Sequence, residues 1–463
     1  MKRVSRNLFA IMGSDMGRRL IGFFTVAYLA RKLGTGEFGV INIGFTVLSY
    51  AVMASAGGLA TFGAREVAKG STDVVNTILS LRLVTSCAAY LIVAVIAFTA
   101  ISDPLLTNVI LIACIALFAN ALLLEWFFQG REAMGMIGVG RLISAAIYFL
   151  LVIILVHGPQ DVLWVAVAAA AGDTVSSIVS LVVYRKRYDT PFRFQIRGGI
   201  GMFRQSFRIG LGSILGHFSL ILPPIVIGIA LSSSDAGIYS AAQKLVFFLL
   251  VIDRVLGTLL LPAAARFISA STEKLAANLS FALRWAFILA LPVALGGTLL
   301  ADRIIPLVFG SQYVAAGPVF RILIWYFFFT LLHTIYSSGL IAIGEEKRYS
   351  RIMIISSVMY GLAIIVGTKL YGLTGAAAGV AGAEALTFVL MRYAFKKFVR
   401  TTLRSALLPV AVASVAMCAA VMFFPSVHVL IAIAVGAVVY TGSLFLLKGV
   451  TKKDVSELVG RIA

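Results

Sequence analysis

Apolar stretches long enough to cross a bilayer recur along the whole chain, and no other feature limits its fold so strongly. Spanning hydrocarbon takes about 20 consecutive apolar residues in a helix. Only helices and closed barrels satisfy every backbone polar group in lipid, and continuous runs, unlike alternating ones, are helical. Of the 463 residues, 60% are hydrophobic and 13% charged, too few charges for a surface in water. The runs predict about 14 spans, near residues 8–30, 38–60, 77–100, 104–128, 134–157, 162–184, 206–231, 236–262, 277–301, 314–342, 349–370, 372–395, 404–424 and 427–447. The fold class is therefore an all-α polytopic membrane protein. Met1-Lys2-Arg3 through Arg6 lead into the first run without a small-residue cleavage site, so this start reads as a retained helix.

The net charge of +20 would suit a nucleic acid, but its distribution does not. Roughly 25 of the 39 Lys and Arg fall in alternate loops that share one side, whereas about four (Arg31, Lys32, Arg303, Lys369) fall on the other. That asymmetry places both termini in the cytoplasm and the Asp161 and Asp302 turns outside. It implies no nucleic-acid partner. The basic clusters Arg185-Lys186-Arg187 and Lys396-Lys397 suit anionic membrane lipids. Cys87, Cys114 and Cys418 lie in apolar runs without metal-ligand spacing and read as packing residues; neither a metal site nor a bound cofactor is expected.

The sequence also repeats. Arg31-Lys32-Leu33-Gly34-Thr35-Gly36-Glu37-Phe38-Gly39-Val40 aligns without a gap on Ile229-Ala230-Leu231-Ser232-Ser233-Ser234-Asp235-Ala236-Gly237-Ile238. Arg82 then meets Arg284 in the third span of each half, and Asp173 meets Glu384 in the sixth. A six-helix unit returns the chain to its starting side, so the copies are parallel repeats, a plan that commonly puts a transport site at the repeat interface. The expected organisation is a first lobe over 1–200, a second over 201–400, and two additional helices over 401–463.

Several of these segments resemble one family. Tyr28-Leu29-Ala30-Arg31-Lys32-Leu33-Gly34 with Phe38-Gly39, Gly57-Gly58-Leu59 leading to Ala64-Arg65-Glu66, Glu125-Trp126-Phe127-Phe128-Gln129-Gly130, and Ala236-Gly237-Ile238-Tyr239 are similar to landmarks of Wzx-type polysaccharide and O-antigen flippases. These belong to the multidrug/oligosaccharidyl-lipid/polysaccharide exporter superfamily. Val40 departs from the pattern, standing where an aromatic is common. The resemblance implies two MATE-like lobes around a central cavity. It further implies alternating access for an undecaprenyl-diphosphate-linked oligosaccharide, in a bacterial or archaeal cytoplasmic membrane.

Charges inside hydrocarbon cost about 2.5–3.5 kcal/mol each on insertion scales, so each needs a reason. Asp15, Arg18 and Arg19 share one face of the first span, and the repeat sets His217 opposite Arg19. These cations, with Arg254 and Lys244 in the eighth span, are the candidate substrate-binding set; the alternative is local pairing of Asp15 with Arg19. Asp173 and Glu384, each flanked by Ala and Gly near mid-span, are candidate H+ or Na+ coupling residues, joined by Asp15 and Asp253. The alternative for them is interhelical hydrogen bonding. Arg321 is expected to snorkel, and Arg82, Arg284, Arg141 and Arg351 to meet headgroups. Pro223-Pro224 and Pro292 are expected to kink their spans.

No HExxH pair, nucleophile elbow or phosphate-binding glycine loop occurs in a matching context, so no enzymatic activity is expected. A multidrug exporter or a lipid-linked peptidoglycan precursor flippase of the same superfamily remains an alternative. So does, from another class, a membrane-embedded glycosyltransferase or polymerase, although no loop here is long enough for a catalytic domain. For a polysaccharide flippase, a polymerase and glycosyltransferases are the expected partners beside the lipid-linked sugar itself.

Overall fold

The computed structural model describes residues 2–463 apart from 72, 189–192, 197–198, 200, 208–220, 269–270, 400–403, 426, 452–453, 455 and 457–463. Within helices it leaves out the side chains of 2–12, 14–15, 259, 261–263, 265–268, 272 and 404–406. All regular structure among the described residues is helical, as backbone pairing in lipid requires.

In chain order the helices are α1 (Lys2–Ala56), α2 (Leu59–Ala68), α3 (Val74–Ala100), α4 (Pro104–Cys114), α5 (Ala116–Leu122), α6 (Glu125–Gly130), α7 (Met134–Leu155) and α8 (Val162–Tyr188). There follow α9 (Pro223–Ala230), α10 (Ser233–Leu249), α11 (Val251–Ile268), α12 (Thr272–Phe309), α13 (Ala316–Ala342), α14 (Glu346–Lys396), α15 (Arg404–Phe423) and α16 (Val429–Leu446).

These elements carry the expected spans. α1 holds the first two and breaks at Gly34, where φ is 82° and ψ 178°. α14 holds the eleventh and twelfth and reverses at Tyr371-Gly372; φ of 60° at Gly372 lies in the left-handed region that glycine enters without steric cost. The fourth span is cut into α4, α5 and α6, and α10 with α11 make the eighth. Of the seventh span, residues 208–220 lie outside the described residues. The helix is interrupted at Leu222, directly before the Pro223-Pro224 pair expected to kink it, and the pair occupies the first turn of α9, where a missing amide costs little.

The chain divides into two compact units, Met1–Ser240 and Ala241–Ala463. In the first, α1 packs on α7, α4 and α3, and α7 packs on α8. The family landmark Trp126-Phe127-Phe128 proves to be core: all three side chains are buried among Leu59, Val67, Ile78 and Tyr184. The aligned repeat segments also meet in this unit. A Cβ on Gly39 would overlap the Ser233 carbonyl oxygen, and one on Gly237 would overlap that of Thr35. Because Gly39 aligns with Gly237 and Thr35 with Ser233, the approach is reciprocal, as between copies of one motif.

In the second unit α13 packs on α12 and α14, while α15 and α16 pair with each other and lean on α12. Leu91, Ile92, Val95 and Phe98 of α3 and Val438 and Leu446 of α16 are exposed, from 59% to 85%. Apolar faces of that size belong against lipid.

Candidate functional site

Two polar clusters lie within the helices, one in each unit, and each is built around a carboxyl that the repeat pairs. In the first unit, α8 carries Asp173. Its Oδ2 accepts from the Asn120 amide of α5 at 3.2 Å, and its Oδ1 accepts from the Ser144 hydroxyl of α7 at 3.2 Å. Small residues allow this approach: a Cβ on Gly172 would stand 2.8 Å from the Ser144 carbonyl oxygen. Breaking the fourth span frees carbonyls, and Arg82 of α3 collects two of them. Its guanidinium donates to the carbonyls of Asn120 at 2.5 Å and Leu123 at 3.0 Å. The expectation that Arg82 meets headgroups is thus corrected. It is only 8% exposed, because broken-helix carbonyls in hydrocarbon need donors that water cannot supply.

In the second unit, α14 carries Glu384. Its Oε1 lies 2.6 Å from His333 Nδ1 and 3.0 Å from Thr330 Oγ1, both on α13. Glu384 is 6% exposed. Asp253 of α11 joins them: the Thr334 hydroxyl, one residue beyond His333, bonds its carboxyl, while its Oδ1 is buried with no hydrogen-bond partner among the described residues. Asn120 belongs to the fourth span of the first repeat, and Thr330 and His333 to the matching span of the second. Each sixth-span carboxyl is therefore met by its own fourth span.

The candidate cations are distributed differently. Arg18 and Arg19 are half-buried on α1. The Asp15 side chain and His217 lie outside the described residues. Lys244 on α10 is partly buried, with no hydrogen-bond or ion-pair partner among the described residues. Arg254 is exposed, whereas its neighbour Asp253 turns inward, the divergence expected of adjacent helical residues.

Residues 4–267 match the family model described as "Polysaccharide biosynthesis protein", more than half of the chain. The chain belongs to that family. A protein of Shigella flexneri described as an O-antigen transporter is 24% identical over 381 residues, covering 77% of this chain and 89% of the relative. Among solved structures, the lipid II flippase MurJ in an inward closed conformation superimposes with a TM-score of 0.75 at 14% identity, covering 94% of this chain and 97% of that one. An inward-facing multidrug resistance MATE family transporter of the MOP superfamily gives 0.64 at 16% identity, covering 84% and 98%. At such identities the likeness speaks for fold alone, and it bears out the multi-pass, MATE-like architecture.

Three further cations depart from expectation. Arg284 donates to both carboxylate oxygens of Asp454, at 3.0 and 3.1 Å, and to the Gly449 carbonyl at 2.7 Å. Arg141 forms a bidentate pair with Glu125 at 2.7 and 2.8 Å. Arg321 pairs with Asp302 instead of reaching alone for the interface. Each has found a carboxylate partner, so headgroups are not needed to account for its charge. Among the described residues no cluster of His, Cys, Asp and Glu could hold a metal ion.

Two features escaped the sequence reading. His333 is not among the candidates drawn from the sequence, although a mid-span ionisable group is itself a signal. The second is a cavity of about 550 Å³ in the second unit, walled by α10, α12, α13, α15 and α16. Leu289, Val293, Leu300, Met417, Val421 and Ile433 are among its lining residues. Its two hydroxyls are spent on backbone: Tyr440 donates to the Ile288 carbonyl at 2.6 Å and Thr441 to that of Ala437 at 2.7 Å.

Proposed function

We propose that this protein flips a lipid-linked oligosaccharide, carried on an undecaprenyl-diphosphate-type anchor, across the cytoplasmic membrane by alternating access. The apolar cavity carries this reading. One of its walls is formed by α15 and α16, the two helices outside the duplication. An isoprenoid tail can lie along such a wall through apolar packing alone, whereas a sugar or a compact cationic drug asks for polar partners that the wall lacks. Arg18 and Arg19 are the cations we assign to the diphosphate, because guanidinium forks match its oxygens with paired donors. Arg254 and Lys244 are weaker members of that set. Asp173 and Glu384 are assigned to ion coupling. A polymerase and glycosyltransferases would supply and consume the cargo.

The test compares two prenyl-diphosphate disaccharides in proteoliposomes, one with an undecaprenyl tail and one with a ten-carbon tail. Arg18→Ala and Arg19→Ala are expected to slow flipping of both about tenfold, a loss of about 1.4 kcal/mol. Lysine at either position should restore only part. Ala437→Trp, which fills the cavity from an exposed position on α16, should slow the long-tailed substrate alone. Equal flipping of both substrates by all variants at the parent rate would remove the assignment.

A further inference from the structure

We infer that two stretches between the sixth and seventh spans, 193–196 and 201–207, form a strap at the membrane interface that binds anionic phospholipid where α3 begins. Asn76 and Ser80 of α3 hold its start. The Arg193 amide donates to Asn76 Oδ1 at 3.2 Å, and the Gln195 amide donates to Ser80 Oγ at 2.8 Å. Gly199 then passes so close that a Cβ there would stand 2.8 Å from the Leu81 side chain. The second stretch is a short helix. Its Phe203 ring covers Gly57, where a Cβ would come within 2.9 Å of it, and packs with Met202 on the core around Trp126 and Tyr184. Both ends of the strap are thus held to the first unit.

The strap lies on the face of α3 that meets lipid. Ser80, Val84, Leu91 and Val95 recur at intervals of four, seven and four residues, which keeps them on one stripe of the helix. Val84, Leu91 and Val95 are 44%, 59% and 62% exposed, yet Ser80 is fully buried, because the strap covers the stripe there. α3 has 27 residues and is about 40 Å long, against a hydrocarbon core of about 30 Å. Ser80, about 9 Å from the start of α3, therefore stands close to the hydrocarbon boundary. At that depth a peptide amide cannot count on water, which accounts for two polar side chains on this end of α3.

Alternate amides bond α3, so the side chains of Phe194 and Ile196 are turned outward together. They are 61% and 44% exposed. An apolar pair at the edge of a bilayer belongs among acyl chains. Charge specifies the headgroup. Over residues 185–207 the sequence has six Lys and Arg and one Asp. Arg185, Lys186, Arg187, Arg193 and Arg204 are exposed, and none has an ion-pair partner among the described residues. A basic cluster directly beyond a membrane helix, beside apolar side chains that enter the leaflet, favours anionic over zwitterionic lipid. Arg193 and Arg204 would meet the phosphates while Phe194 and Ile196 lie among the chains below them.

The experiment reads lipid contact at single positions, so its outcome stands whatever the cargo. Full-length protein lacking Cys87, Cys114 and Cys418 receives one bimane-labelled cysteine, as Phe194→Cys, Ile196→Cys, Leu91→Cys or Ser71→Cys, in vesicles of phosphatidylcholine and phosphatidylglycerol. Leu91 is exposed on the lipid face of α3 and Ser71 just before that helix, so the first reports lipid and the second water. Nitroxide-bearing lipid should quench at 194 and 196 as it does at 91, and iodide should quench at 71 alone. At 194, nitroxide-bearing phosphatidylglycerol should act at a mole fraction about fivefold lower than its phosphatidylcholine counterpart. Arg193→Gln with Arg204→Gln, both at exposed positions, should cut that preference to about twofold while lipid quenching persists. Iodide quenching at 194 equal to that at 71 overturns the strap's place in the membrane. Equal quenching by the two lipids in the parent overturns its preference for anionic lipid, and a preference unchanged in the double variant removes the two arginines from it.

Discussion

Arg82 and Arg284 occupy matching places in the repeat, yet each has become specialised for its own neighbourhood. Arg82 forms no ion pair among the described residues and serves the carbonyls of a broken helix. Arg284 ties the segment after α16 back to α12 through Asp454. Burial opposes the charge of Asp454, but the Thr451 hydroxyl and amide and the Arg284 guanidinium more than offset it, holding the carboxyl below its ordinary range. A carboxyl so depressed stabilises the fold above its unfolded value of about 3.9 and loses that contribution as pH falls through the folded value. Asp454→Asn should therefore melt roughly 2 °C below the parent near neutral pH. The gap should close as the pH is lowered past the acid range of free carboxylates, because the parent then loses the same charge. Thermal melting in detergent across that range measures it. A gap that stays constant with pH would mean that Arg284 is held by the Gly449 carbonyl alone.

Helices were legible at the scale of the element because hydrocarbon leaves the backbone so few choices. Fourteen apolar runs predicted helices, and apart from short breaks the described residues of those runs are helical. Breaks were less legible. The cuts at Ile115 and Leu123-Leu124 in the fourth span carry no proline or glycine; at the second, a side chain from another helix, Arg82, takes up the freed carbonyls. Partners of mid-span charges were hidden for the same reason, since the sequence marks Asp173 and Glu384 but not Asn120, Ser144 or His333 as what they touch. The repeat, in contrast, was readable from glycines, and its test belongs at this scale. Gly39→Ala and Gly237→Ala each force a Cβ onto a backbone carbonyl that cannot rotate away, and overpacking of this kind costs about 1–3 kcal/mol. Both variants should melt lower and accumulate less in the membrane. Gly36→Ala, on the same helix with nothing within 4 Å of the added carbon, should behave as the parent and serves as the control. If all three are alike, the reciprocal contact does not hold the helices together.

Orientation is a property of the whole molecule, because no single residue determines it and the sum of loop charges does. Of 39 Lys and Arg, roughly 25 sit in alternate loops, and moving so many across a bilayer against the membrane potential is what the positive-inside rule forbids. With an even number of spans, both termini are expected in the cytoplasm, residue 193 on the same side and residue 302 opposite. A cysteine placed at each position, in a background lacking Cys87, Cys114 and Cys418, reports which side it faces. Arg193 is exposed and has no ion-pair partner among the described residues, so its replacement costs little. Asp302 pairs with Arg321, so the neighbouring Arg303 is the better second site if accumulation falls. Membrane-impermeant maleimide added to intact cells should label 302 or 303 and spare 193 until the membrane is opened. The reverse pattern would invert the chain, and the cations assigned to the diphosphate would then enter the bilayer from the outer leaflet. Their load would have to be taken up outside, which is incompatible with export from the cytoplasm.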